Sequence, residues 1–187
     1  VIQAEKRKRF GVSRVYLIAL YRSVGAGTAI GIMEALAILA AEPMVRVPFV
    51  TSIVLAMALP DSEPAQPRAI IGGHMLSCLG GFMALYTVGP GETSSAIAVG
   101  LATLLMMATR TLHPPAGIDA FLVASYGLTI DWVFNPVLIG AVLLTGFALA
   151  WRWGERRMFS APDRAAAPQL WSTERIRKLK QLWRAHP

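Results

Sequence analysis

Ala69-Ile-Ile-Gly-Gly-His-Met-Leu-Ser-Cys-Leu-Gly-Gly-Phe-Met-Ala-Leu-Tyr-Thr-Val-Gly-Pro-Gly91 runs for 23 residues without an Asp, Glu, Lys or Arg. A helix rises about 1.5 Å per residue, so roughly 20 apolar residues cross the ~30 Å hydrocarbon core of a bilayer. Residues 93–109 and 132–151 form two more charge-free runs, of 17 and 20 residues. Only 16% of the 187 residues are charged and 55% are hydrophobic, against about 25% charged in an average soluble domain. A soluble globular fold is excluded, and so is a disulfide scaffold, because Cys78 is the only cysteine. The composition predicts an all-α, polytopic integral membrane bundle.

Outward from that run, the chain reads long–short–long twice. Val15–Ala41 is apolar except for Arg22 and Glu34, with Gly25, Gly27 and Gly31 on it. Val47–Leu59 follows, bounded by Pro48 and Pro60 and too short to cross. Residues 60–68 form a polar, proline-broken loop, and Ala69–Val88 is a full span ended by Gly89-Pro90-Gly91. In the second half Thr93–Leu112 reads as a span, His113-Pro114-Pro115 breaks it, and Ala116–Leu128 is short. Trp132–Trp151 is the last span, with a tryptophan at each end as interfacial belts have. Residues 69–77 match 137–145 at a shift of 68, and Pro48 and Pro115 each precede a short segment. The expectation is four full spans and two short segments. They are arranged either as an inverted repeat, whose paired Pro/Gly-broken pieces point to a midplane site, or as four spans with two re-entrant or interfacial pieces.

Fourteen of the 18 basic residues lie at the two ends of the chain. That placement marks both termini as cytoplasmic rather than the protein as a nucleic-acid binder. No cleavable signal peptide reads from the N-terminus, and the setting expected is a bacterial inner membrane. Residues 1–14 read as a basic cytoplasmic segment, 15–151 as the membrane domain, and 152–187 as a basic tail. From Thr173, a plausible N-cap, Ile176, Leu179, Leu182 and Trp183 fall near one face of a helix suited to an anionic leaflet. The glycine-bearing faces at Gly25–Gly31 and Gly72–Gly81 suit close packing between subunits, so a homodimer is expected.

Polar groups inside a bilayer are costly and mark functional sites by default. Arg22, Glu34, Arg68, His74, Arg110, His113, Asp119 and Asn135 are the candidates. They form no nucleophilic or P-loop pattern, so no enzyme is expected, and no cofactor. His74 and Cys78, four apart, lack a third ligand for a metal. At His113-Pro114-Pro115-Ala116-Gly117 the prolines free carbonyls. Gly117 permits close backbone approach, and the amides of a following short helix face the break, as anion sites require. The short segments beginning near Pro48 and Pro115 are expected to meet there and line a polar pocket for a small inorganic anion, with His113, His74, Arg110, Thr51, Ser52 and Asn135 on its pathway. Histidine ordinarily titrates near pH ~6.5, so His113 would gain charge and attract an anion on mild acidification. A structural kink is the alternative. Arg22, Glu34, Arg68 and Asp119 are expected to pair or, for Arg22, to snorkel.

Arg22-Ser23-Val24-Gly25-Ala26, Pro60-x-Ser62-x-Pro64-x-Gln66-Pro67-Arg68, Ile71-Gly72-Gly73-His74 and His113-Pro114-Pro115-Ala116-Gly117 together resemble the integral membrane HPP family, in the family's order. The resemblance implies a compact helical domain, usually of four transmembrane helices. In plant chloroplast members it implies nitrite uptake across the envelope. Transport of nitrite or a similar oxyanion is therefore the function expected, and a non-transporting scaffold or sensor with a lipid- or partner-binding basic tail the alternative. One departure is visible: Pro48-Phe49-Val50-Thr51-Ser52 stands where the family commonly has Pro-Phe-Gly-Ala-Ser.

Overall fold

The computed structural model describes residues 2–40 and 48–167, with the side chains of α1 described from Arg14 to Leu39. Among the described residues seven α-helices run in order: α1 (Ile2–Ala40), α2 (Val50–Ala58), α3 (Pro67–Val88), α4 (Glu92–Ala108), α5 (Gly117–Tyr126), α6 (Ile139–Met158) and α7 (Ala161–Ala166). Short 3₁₀ turns occupy Glu63–Ala65 and Pro114–Ala116. No strand occurs among the described residues. The long–short–long rhythm is present, since α2 and α5 have 9 and 10 residues and reach only about 15 Å.

Among the described residues, three segments are long and apolar enough to cross a membrane: 14–39, 67–88 and 133–158. The expected fourth, 93–112, is a helix only to Ala108, 17 residues from Glu92. Arg110 takes a left-handed φ of 57°, and the prolines at 114 and 115 remove the donors that would carry the helix on. Before the last span, Asn135 leaves helical dihedrals (φ −134°, ψ 113°) ahead of Pro136, and the regular helix begins at Ile139. α1 runs through residue 14, and α6 continues past Trp151 to Met158. The amphipathic helix expected from Thr173 lies outside the described residues.

Two of the four buried clusters among the described residues flank the site. In one, α3, α4 and α5 meet on small side chains, with Ala84, Ala98, Ala102, Ala116, Ala120 and Ala124 buried together. Gly80 lets two backbones touch there: a Cβ on it would lie 2.7 Å from the Ala102 nitrogen. In the other, α1, α2 and α6 pack around Phe49, Ile53, Met57 and Leu144. The Phe49 ring sits on Gly140, leaving no room for a Cβ there. The glycines expected to join subunits are thus largely used within the chain. Gly25, Gly72, Gly73, Gly80 and Gly81 all meet intramolecular neighbours, whereas Gly27 and Gly31 face open space.

Candidate functional site

The Gly72-Gly73-His74 and His113-Pro114-Pro115 stretches meet. Gly73 makes the meeting sterically feasible, because a Cβ there would be 2.6 Å from the His113 Cβ. His113 stands at φ −129°, ψ 88° immediately before the 3₁₀ turn, held extended by the following proline. Its Nδ1 lies 2.7 Å from the Pro64 carbonyl. That carbonyl is open to a side chain because the residue three further on is Pro67, which has no N–H to give it. A carbonyl only accepts, so Nδ1 carries the proton and, in neutral imidazole, Nε2 is the acceptor. Ser52 of α2 donates to it at 2.8 Å.

With its proton committed to His113, the Ser52 hydroxyl accepts from His74 Nε2–H at 3.1 Å. On the far side of that ring, Nδ1 lies 2.6 Å from Oδ2 of Asp119, in the first turn of α5. One proton sits between the carboxyl and Nδ1, and the pair is neutral overall whichever atom holds it. Asp119, His74, Ser52 and His113 are each 0% exposed. They form one hydrogen-bonded chain drawn from α5, α3, α2 and the loop before the 3₁₀ turn. Asp119 Oδ1 is buried without a partner among the described residues.

The expected wettable pocket is, in this conformation, a sealed cluster. Its members already satisfy one another, and Phe49 closes on His74 with ring centroids 5.0 Å apart. One α5 amide expected to face an anion, that of Ala120, donates instead to Ser77 Oγ at 3.1 Å. Gly117 provides no close approach, since a Cβ there meets nothing within 4 Å. Thr51 points away from Ser52 and is exposed, as are Arg110 and Pro114, while Pro115 is half-buried. Asn135 is exposed in a separate, mostly apolar groove between α1 and α6, beside Met33, Pro136 and Phe147. Asp119 pairs, as expected, and Arg68 lies 3.5 Å from Glu63 at the surface. Arg22 does not snorkel. Its Nε and Nη2 donate to Glu155 at 2.9 and 2.8 Å, and Nη1 donates to the Ala58 carbonyl at 3.1 Å. Glu34 is half-buried on α1.

Pro64, Ser77 and Glu155 were missed in the sequence. Glu155 had a readable trace, being the single acid within Trp151-Arg-Trp-Gly-Glu-Arg-Arg157. Nothing local marks a serine or a proline carbonyl as a partner of a group 40 or more residues away.

Long apolar helices around buried ionisable groups define a helical integral membrane protein. The family model "HPP, transmembrane region" matches residues 13–159, and the chain belongs to that family. A Dictyostelium discoideum protein described as a transmembrane protein is 37% identical over 110 residues, covering 54% of this chain and 38% of the relative. Another transmembrane protein of that organism is 34% identical over 110 residues, covering 54% of this chain and 35% of its own. The chain thus aligns with little more than a third of the length of either relative. No solved structure matches it.

Proposed function

We propose that this protein moves a small inorganic anion, nitrite or a similar oxyanion, across its membrane, and that the described conformation is a closed one. The observation that carries this reading is the Asp119–His74–Ser52–His113 chain, fully buried in a helical membrane domain. Ionisable groups held at such a cost mark ion and substrate pathways. The HPP resemblance supplies the substrate class. In this reading α4 is a fourth crossing and the termini are cytoplasmic. A swapped contact supports an inverted repeat: Gly72 on α3 meets Thr111 before α5, and Gly140 on α6 meets Phe49 before α2. The open face at Gly27 and Gly31 is where a second copy would pack.

The sealing of the cluster also favours the second reading, a non-transporting scaffold or sensor in which these bonds only hold helices together. Nitrite and nitrate flux into liposomes containing the purified protein separates the two. Entry above protein-free liposomes, lost in His113→Ala at equal protein content, is expected. Entry no faster than through protein-free liposomes would leave the scaffold.

A further inference from the structure

The buried chain has a direction, and direction is what a proton path needs. We propose that Asp119, His74, Ser52 and His113 conduct a proton, and that the solute moves together with the proton held by the Asp119–His74 pair. The proposal rests on the transport reading above.

The transfer balances without any co-reactant. The Asp119 O–H bond breaks as a bond forms to His74 Nδ1. The His74 Nε2–H bond breaks as that proton passes to Ser52 Oγ. The hydroxyl's own proton passes to His113 Nε2. The result is an Asp119 carboxylate and a His113 imidazolium whose Nδ1–H still rests on the Pro64 carbonyl. Each hop follows a hydrogen bond already in place, at 2.6, 3.1 and 2.8 Å. The Pro64 carbonyl fixes the receiving nitrogen of His113, so the relay is poised in one tautomer. At the other end Asp119 Oδ1 has no partner among the described residues, which leaves the carboxyl an atom to receive from or deliver to a group outside the chain.

The surroundings leave few other groups to titrate. Cys78 lies one turn beyond His74 on α3, and the His113 ring centroid is 5.3 Å from that of His74. α2 presents Ser52, with Phe49 just before it, α4 presents Met106, and the turn leading into α6 presents Val137 beside Cys78, none of them titratable. The carried ion assigned is the proton because every link of the chain is a hydrogen bond between groups that can both give and take one.

The test uses the full chain in liposomes loaded with a pH-reporting dye, with external nitrite or nitrate added and protein-free liposomes as the blank. Anion entry and internal acidification are recorded together. In the wild type, acidification above the blank is expected to accompany entry in fixed proportion. Asp119→Asn and Ser52→Ala, both verified as folded and monodisperse, are expected to lower the protons taken up per anion at least tenfold. Ser52→Thr, which keeps the hydroxyl, is expected to restore the ratio. Should Asp119→Asn move no anion at all, the Ser52→Ala and Ser52→Thr pair decides. Anion entry with an unchanged proton ratio in Asp119→Asn or in Ser52→Ala overturns the proton path and leaves transport standing. No anion entry in the wild type overturns transport and the coupling with it.

Discussion

Replacing Glu155 with Ala strands the Arg22 guanidinium. Arg22 is 5% exposed and Glu155 3%, and two parallel bonds of 2.9 and 2.8 Å join them. After the substitution only the Ala58 carbonyl, at 3.1 Å, still accepts from Arg22. Hydrogen bonds to charged groups contribute about 1.5–3 kcal/mol each, and removing one partner of a buried ion pair costs about 3–5 kcal/mol. Neutral interhelical hydrogen bonds in membranes average only about 0.6 kcal/mol, so the two cases separate cleanly. Glu155→Ala is therefore expected to destabilise the folded protein by about 3–5 kcal/mol. The double variant Arg22→Met, Glu155→Leu is expected to recover most of that loss, because neither charge remains to be desolvated. Unfolding in mild detergent followed by tryptophan fluorescence measures it. Trp151 stacks on Tyr21 with centroids 4.8 Å apart, one turn from Glu155 and next to Arg22. A loss below about 1 kcal/mol in Glu155→Ala, or a double variant as unstable as the single, would show that the pair is hydrated and does not hold α1 to α6 as described.

Other substitutions follow from the same geometry. Gly140→Ala drives a methyl into the Phe49 ring and should cost about 1–3 kcal/mol, while Gly146→Ala, on the same helix with nothing within 4 Å, should carry no such penalty in the same unfolding assay. Gly73→Ala should separate His113 from α3, read as lost anion flux at wild-type expression if the buried cluster serves transport. Ala165→Cys should resist an impermeant thiol reagent in intact cells, and Ile130→Cys, exposed near the opposite end of α6, should react; buried Cys78 gives little background. The reverse pattern would invert the assigned topology.

The membrane class and the rhythm of long and short helices were legible because the bilayer imposes a length that charge-free runs must meet. The 60–68 loop and the ends at Gly89 and before Pro60 were legible for a similar reason, since Pro and Gly act locally. Register inside the bundle was not. Thr51 and Ser52 look alike in sequence, yet the helical turn sends one to the surface and the other between two histidines. The meeting of the His113 and His74 regions was expected, but the pairing of Arg22 with Glu155 spans 133 positions and depends on how α1 crosses α6. The glycines were legible as close-contact positions, although not whether the contact lay within one chain or between two.

The backbone contact between Gly80 and Ala102 has a mechanical meaning. Gly80 brings α3 onto the main chain of α4, and Gly81 brings it onto that of α5 at Ala120, so sliding of these helices meets backbone and the three are keyed together as one piece. Ser52 does not belong to that piece. It rides on α2, whose neighbours Ile53 and Met57 share a cluster with Ala29 of α1, Ala141 and Leu144 of α6, and Ile70 at the start of α3. The hydroxyl is thus a polar latch across a seam that Ile70 and the Phe49–His74 contact otherwise fill with apolar surface, with His74, His113 and Asp119 all on the opposite bank. A relative shift of about 1 Å there stretches the 2.8 Å bond to His113 out of hydrogen-bonding range, while nothing inside either half need move.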